Sequence, residues 1–393
     1  MGRRTAAPGA RRRTALLLGG LLLGGLLLGG LLLAGCGGGY EPAGPFREVP
    51  QGQPPQVAPP QESTPIPAPG QPSTPGTGEE QAGDPSVVAT GLTVPTGLAL
   101  LPDGTAVVGE RETGRLLQVF PDRSAPRELM TVPGIDTSGD GGLLGLALSP
   151  TFTEDGLVYA YVSTATDNRV VRFPIGGTPN PVLTGIPRGE VHNGGGLLFG
   201  LDGVLYVGTG DVGDPALAAD PASLAGKVLA VDVFGQPVGP GPVFTRGHRD
   251  VTALCQGGDE QLYGTDDALQ GADELNALVA GGDFGPGGIA PVLEVPGEEG
   301  GLGGCAVTGP YVFLGALDGQ QVHVVELDGS RVPVEEPTAF LDEDHGRLRT
   351  VALDAEGALW ITTSNRDGVG TPSEDDDKVL RVLPPTSSAG SPL

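Results

Sequence analysis

One pattern returns along this chain and restricts its fold more than any composition figure does: an apolar strand, a turn of the Asp-Gly kind, a second apolar strand, a loop, then a third strand. It appears as GLALLPDGTAVVGERETGRLLQVF from Gly97 and as LGLALSPTFTEDGLVYAYVSTATDNRVVRFPI from Leu144. It returns as GGLLFGLDGVLYVGTGD, closed later by GKVLAVDVFG, and as VTALCQGGDEQLYGTDD. The last two copies are GCAVTGPYVFLGALDGQQVHVVELDG and RLRTVALDAEGALWITTSNRDG, the latter closed by KVLRVLP. Each copy alternates with the period of two that puts one face of a strand in a core, and Asp-Gly favours tight hairpins. Six copies at a spacing of about 50 residues match the blades of a propeller, whereas a β-sandwich explains the turns but not the recurrence. The expected fold is all-β, a six-bladed β-propeller of four-stranded antiparallel blades over residues 85–384, with a disordered tail at 385–393. Ligands of such a ring sit at one end of the central channel, so candidate residues are polar groups at or just before each innermost strand.

What precedes the repeats has another character. Arg3, Arg4, Arg11, Arg12 and Arg13 lead into a Leu/Gly stretch and then Leu33-Ala34-Gly35-Cys36. Basic, then apolar, then small residues before a cysteine is the order of an export signal. The last four residues resemble a bacterial lipobox, which makes 1–35 a lipoprotein signal peptide and Cys36 the lipidated anchor; a plain transmembrane anchor is the alternative. Residues 36–84 are rich in Pro, Gly, Gln, Ser and Thr, too poor in large apolar groups to offset the entropy of ordering, and read as a disordered tether. The expected location is extracytoplasmic, anchored to the cell membrane.

Of 22 Lys and Arg, five lie in the signal, leaving 17 against 48 Asp and Glu, a net charge of −31. That surface repels nucleic acid and suits neutral or cationic ligands and Ca²⁺. Beyond Cys36 only Cys255 and Cys305 occur. In an oxidising exterior they are expected to form a disulfide, with two buried thiols as the alternative.

At the strand starts stand Asp140 in SGDGGLLGLAL, His192 in VHNGGGLLFG, Arg249 and Asp250 in GHRDVTAL, and Arg347 and Arg349 in GRLRTVAL, with Asp211 ending the strand pair after His192. Three arginines and a histidine gathered in so acidic a chain suggest an anion pocket. Pairing of those arginines with nearby acids, stitching the blades together, is the plainer account. His248 reads as structural, His323 lies in an alternating strand, His345 in an acidic loop, and Glu374 to Asp377 as a solvated loop.

Seven ordered segments resemble the glucose/sorbosone dehydrogenase family, six-bladed aldose dehydrogenases that use pyrroloquinoline quinone (PQQ): VPTGLALLPDGTAVVGERETGRLLQV, GDGGLLGLALSPTF, HNGGGLLFGLDGVLYVGTGD, SLAGKVLAVD, GHRDVTAL, ADELNALVAGGDFG and GRLRTVALDAEGALWITTS. The resemblance spans the whole propeller and is similar to that of the family's membrane-anchored lipoproteins. It implies that His192 takes the proton of a sugar's anomeric hydroxyl while hydride passes to PQQ, that Asp211 supports it, and that Arg249, Arg347 and Arg349, with Asp140 nearby, contact the quinone. It implies a Ca²⁺ at YGTDDALQGADELN, with Asp266, Asp267, Asp273, Glu274 and Asn276 as oxygen donors. Partners would be a sugar or polyol and an electron acceptor in the membrane.

The chain departs from the family pattern at several places. Gly196 stands where an arginine follows the histidine motif, Asp250 where G-H-R-N has asparagine, and Asp140 where Gln or Glu is usual. Asp318 replaces a lysine that touches the quinone, and neither Lys227 nor Lys378 aligns with it. The calcium segment has drifted to Thr265-Asp266-Asp267-Ala268-Leu269. An acid in place of a cation beside a tricarboxylate weakens binding by about 1–3 kcal/mol per lost charge-assisted contact. Two expectations follow: a PQQ-dependent sugar dehydrogenase, or a non-catalytic propeller that binds a carbohydrate, a cell-envelope component or a protein, its arginines closed off by Asp318 and Asp250.

Overall fold

The computed structural model describes residues 83–267 and 271–385. Six sheets make the six blades. Their innermost strands are Pro95–Leu100, Leu143–Leu148, Leu197–Phe199, Ala253–Gln256, Leu302–Thr308 and Leu348–Leu353, one from each repeat. Five blades have four antiparallel strands. The third departs from the expected pattern by gaining a fifth: Gly282–Asp283 runs parallel to Val243–Arg246, adding a short edge strand from the segment that follows the fourth blade's third strand.

The ring is closed by strands from both ends of the described chain. Val87–Ala89 pairs with Val379–Val382 and completes the blade built by Leu348–Leu353, Leu359–Thr363 and Val379–Val382. The turns take the expected chemistry. Asp103 Oδ1 accepts the Thr105 N–H at 3.0 Å, and Asp202 Oδ1 the Val204 N–H at 3.0 Å, so each acid folds its hairpin back on itself.

Alternating Val, Leu, Ile and Ala from adjacent sheets fill the spaces between blades. Ala99, Val107, Leu116, Leu143, Leu146, Val158 and Phe173 form one such layer, and Tyr159, Tyr161, Leu205, Val207 and Leu229 part of the next. The single tryptophan, Trp360, is fully buried and donates its indole N–H to Asp354 Oδ2 at 2.9 Å, as a buried indole requires. Cys255 and Cys305 form a disulfide with Cα atoms 5.7 Å apart, tying the innermost strands of the fourth and fifth blades. Along the axis runs a cavity of about 480 Å³ lined by all six innermost strands and both cysteines.

Among the described residues no helix is long and apolar enough to cross a membrane. The signal peptide at 1–35, Cys36, nearly all of the tether at 36–84 and nearly all of the tail at 385–393 lie outside the described residues. The run from Glu374 corrects the expectation of a solvated loop. Asp376 and Asp377 are buried, and Asp377 accepts hydrogen bonds from the backbone of Val94, at 3.1 Å, and Asn365, at 2.6 Å. Two of the four acids thus satisfy backbone donors where the ring closes, which is why they are inside.

Candidate active site

The mouth of the channel is built first by a loop before the third innermost strand. Asn193 fixes it: its Oδ1 accepts from Gly189 N at 3.0 Å and from Asn168 Nδ2 at 2.9 Å, while its carbonyl accepts the Tyr161 hydroxyl at 2.8 Å. Gly194 and Gly195 follow at φ +72° and +137°, which explains the glycine run. His192 itself lies at φ 53°, a left-handed conformation uncommon for a residue with a side chain and of the kind that clusters at functional sites. The neighbouring strand end also needs a glycine, since a Cβ on Gly210 would lie 1.8 Å from the His192 carbonyl oxygen.

This backbone brings His192 Nδ1 to 2.8 Å from Asp211 Oδ1. Asp211 is buried and its same oxygen accepts from Gly213 N at 2.8 Å, so the carboxylate cannot turn away. A carboxylate only accepts, so Nδ1 carries the hydrogen and the neutral ring keeps a lone pair on Nε2. The hydrogen bond to Asp211 raises the His192 pKa above its ordinary value, against the opposing effect of burial, and the Asp250 charge adds to the rise.

One residue on, Asn193 and Gly194 line a cavity of about 210 Å³ together with Arg111, Asp140, Asp250, Asp267, Arg349 and Asp367. Asp250 Oδ1 accepts from Gly194 N at 2.7 Å; burial pushes its pKa up to about 7 despite that bond. Burial, with Arg111 nearby, brings Arg349 down to about 10. Arg349 has no ion pair or side-chain hydrogen bond among the described residues. Arg111, which periodicity does not single out, pairs through Nη2 with Glu112 at 3.1 Å and has a buried Nε without a hydrogen-bond partner. Two arginine heads with donors to spare in one small cavity suit a ligand rich in carboxylates.

The other two arginines are paired with acids of the candidate site. Arg347 pairs with Asp318 at 2.6 Å and with Asp367 at 2.8 Å, and Arg249 pairs with Asp267 at 2.6 Å. Asp318 therefore occupies one of the arginines expected to face an anion, whereas Asp250 holds the Gly194 backbone instead of an arginine. Asp367 was not foreseen because it lies in the loop after the last blade's second strand, away from any innermost strand.

The acids proposed for calcium are dispersed. Asp266 lies opposite Glu274 and Asp267 opposite Asp273 in one antiparallel hairpin, so the two pairs project from opposite faces. Asp266 is spent on His248 Nδ1 at 2.8 Å and on the backbone N–H of Arg249 and Asp250. Asp273 accepts from Gly301 and Leu302 N–H, and burial, with Asp267 beside it, pushes its pKa up to about 6. Burial also raises Glu274, which accepts from Asn276 Nδ2 at 3.1 Å. These four carboxylates thus do not fit one calcium site, and no group of three or more His, Cys, Asp or Glu converges as a metal cluster among the described residues. Ala268 and Leu269 lie outside those residues. His248 is structural as read, buried between Asp266 and Thr245 and stacked on Phe284.

Known proteins share this arrangement of blades. Residues 92–290 and 309–371 match the family Glucose / Sorbosone dehydrogenase. Quinoprotein glucose dehydrogenase B of Acinetobacter calcoaceticus is 27% identical over 249 residues, 51% of this chain and 52% of that enzyme, so the match spans about half of that relative's length. The PQQ-bound aldose sugar dehydrogenase of Streptomyces coelicolor is 39% identical with a TM-score of 0.72, covering 76% of this chain and 96% of that one. An oxidoreductase (glucose dehydrogenase) of Thermus thermophilus is 35% identical with a TM-score of 0.70, covering 76% and 98%.

Proposed function

This chain belongs to the glucose/sorbosone dehydrogenase family, and on that footing we propose that it oxidises the anomeric carbon of an aldose with PQQ as electron acceptor and His192 as base. The observation that carries the reading is the buried Asp211 carboxylate on His192 Nδ1 beside a cavity holding the unengaged Arg349. When bound, the quinone supplies the acceptor for the two electrons and the hydrogen that leave the sugar's C1. Arg349 and Arg111 would hold its carboxylates by charge-assisted hydrogen bonds. His192 takes the C1 hydroxyl proton at Nε2, and Asp211 keeps the tautomer that leaves this atom free and stabilises the imidazolium that results. The product is the lactone. The basic-apolar-small order of residues 1–35 and Cys36 supports an extracytoplasmic protein anchored in the membrane, where an electron acceptor would reoxidise the cofactor.

A second reading, a propeller that recognises but does not oxidise, is favoured by the pairs Arg347–Asp318 and Arg249–Asp267. Titration of the full chain with PQQ, followed by absorbance and calorimetry, separates the two. Saturable binding and bleaching of the quinone on adding glucose support the dehydrogenase. No binding at high PQQ concentration leaves the recognition reading standing alone.

A further inference from the structure

The chain has two lysines, and one of them, Lys227, is fully buried at the start of the third blade's strand Lys227–Val231. No carboxylate lies within ion-pair distance of its ammonium among the described residues. Its hydrogens go instead to three backbone carbonyls, of Leu217 at 2.9 Å, Ala218 at 2.7 Å and Ala225 at 2.6 Å. An ammonium has three donors, so the set is complete. Burial brings the Lys227 pKa down to about 8, a measure of what the position costs the charge. An apolar side chain of similar volume would fill the same space without that cost.

The three carbonyls belong to the loop that leaves the sheet after Asp211 and returns at Gly226. Leu217 and Ala218 lie in the short helix Pro215–Ala219, whose last carbonyls have no partner within the helix, and Ala225 lies on the return. The same loop reaches back to the acid. Asp214 N donates to the Asp211 carbonyl at 3.0 Å, and Gly213 N donates at 2.8 Å to Asp211 Oδ1, the oxygen that faces His192 Nδ1. Asp214 also caps the helix, accepting from Ala216 N at 3.1 Å. The Lys227 main chain is meanwhile fixed in the sheet beside the strand end that carries Asp211. Its N–H donates to Thr209 Oγ1 at 2.9 Å, and its carbonyl accepts the Thr209 N–H at 2.9 Å, two residues before the acid. One residue thus grips both the strand that delivers Asp211 and the loop whose N–H groups hold its carboxylate.

We propose that Lys227 is a positioning residue for the oxidation: its ammonium ties the loop of residues 213–225 to the third blade and thereby keeps the Asp211 carboxylate on His192 Nδ1. Its part in the reaction rests on the dehydrogenase reading, but the geometry it sets is read without turnover. His192 is titrated by nitrogen-detected NMR in the full-length parent, in Lys227→Met, in Asp211→Asn and in the double variant. The kcat, KM and PQQ affinity of the same proteins are measured in parallel. The expected result is that His192 of Lys227→Met titrates at lower pH than in the parent, because its carboxylate partner is no longer held. Its kcat falls by about 5–30-fold, the worth of the charged hydrogen bond from Asp211, with KM and PQQ affinity little changed. In the Asp211→Asn background the same replacement leaves the His192 titration where the asparagine puts it. Should the methionine variant not fold, as a thermal melt would reveal, Lys227→Gln, which keeps two donors, takes its place. A folded variant whose His192 titrates as in the parent overturns the proposal, as does a shift of equal size with and without Asp211. A shift that needs Asp211, in a parent that oxidises no sugar, keeps the positioning and overturns the dehydrogenase. Sugar oxidised by the parent, with His192 unmoved in the variant, does the reverse.

Discussion

Replacing Asp211 by asparagine tests the centre of the proposed chemistry. The parent has a hydrogen bond of 2.8 Å between His192 Nδ1 and a carboxylate that is almost wholly buried. A hydrogen bond to a charged group contributes about 1.5–3 kcal/mol and a neutral one about 1 kcal/mol, so the imidazolium loses roughly 1–2 kcal/mol of support. Gly213 N donates to the same oxygen that His192 Nδ1 faces, so it holds the asparagine amide oxygen there; the tautomer with hydrogen on Nδ1 is kept, and what is lost is the charge behind it. A loss of that size corresponds to about 5–30-fold, so kcat of the PQQ-loaded variant should fall within that range with PQQ affinity little changed. The sign with pH is fixed. A base works when neutral, so the parent's rate rises with pH through the elevated His192 pKa, and in the variant that limb moves to lower pH. Stability moves correspondingly: the parent's advantage over the variant is fullest below about pH 6.5, the ordinary histidine value, and is lost as pH rises past the pKa of His192 in the folded chain. Nitrogen-detected NMR titration of His192 needs no cofactor and decides the matter. A His192 that titrates at the same pH or higher in the asparagine variant would refute the reasoning, as would full activity.

Arg349→Gln removes the one candidate arginine without an ion pair or side-chain hydrogen bond among the described residues and should weaken PQQ binding by about 10–150-fold, the worth of one charge-assisted bond, read by calorimetry. Asp250 ionises near pH 7 in the same cavity as Arg349, so PQQ affinity should fall as pH rises above 7, and Asp250→Asn should flatten that dependence. Asp318→Asn releases Arg347 from an ion pair on an exposed partner and should tighten PQQ binding by less than about tenfold, since such pairs contribute only about 0–1 kcal/mol. Reducing the Cys255–Cys305 bond, which closes a loop with a sequence separation of 50, should cost about 4 kcal/mol in chemical denaturation on the chain-entropy model.

The ring itself was legible because each blade repeats a local signal, alternation broken by an acid and a glycine, and each innermost strand begins where its repeat does. His192 and Asp211 could be singled out for the same reason: both lie at strand ends of one repeat, His192 before its innermost strand and Asp211 after its second. Arg111 and Asp367 were not, since they reach the cavity from loops farther out in their blades, where periodicity says nothing of direction. The calcium candidates failed differently. Asp266 and Asp267 are adjacent in sequence, but a strand turns consecutive side chains to opposite faces, so a cluster in the sequence became two pairs back to back. The acids at 376 and 377 likewise looked like solvent-facing charge until the closing blade supplied backbone donors for them.

The clasp between Val87–Ala89 and Val379–Val382 sets an order of events for a newly made chain. Val87 is among the first residues of the propeller to emerge and Leu380, its partner, among the last, so this pairing has nearly the highest sequence separation the fold allows. Contacts of that kind form late and slowly, because the entropy of closing so long a loop precedes any reward. Until Leu380 arrives, Val87–Ala89 is unpaired and Leu359–Thr363 is an open edge of the last blade, and Asp377 has not yet met the Val94 backbone N–H that it binds in the finished ring. The unclosed intermediate is therefore the state most exposed to edge-to-edge association, and loss of even the final strand leaves the chain in it permanently.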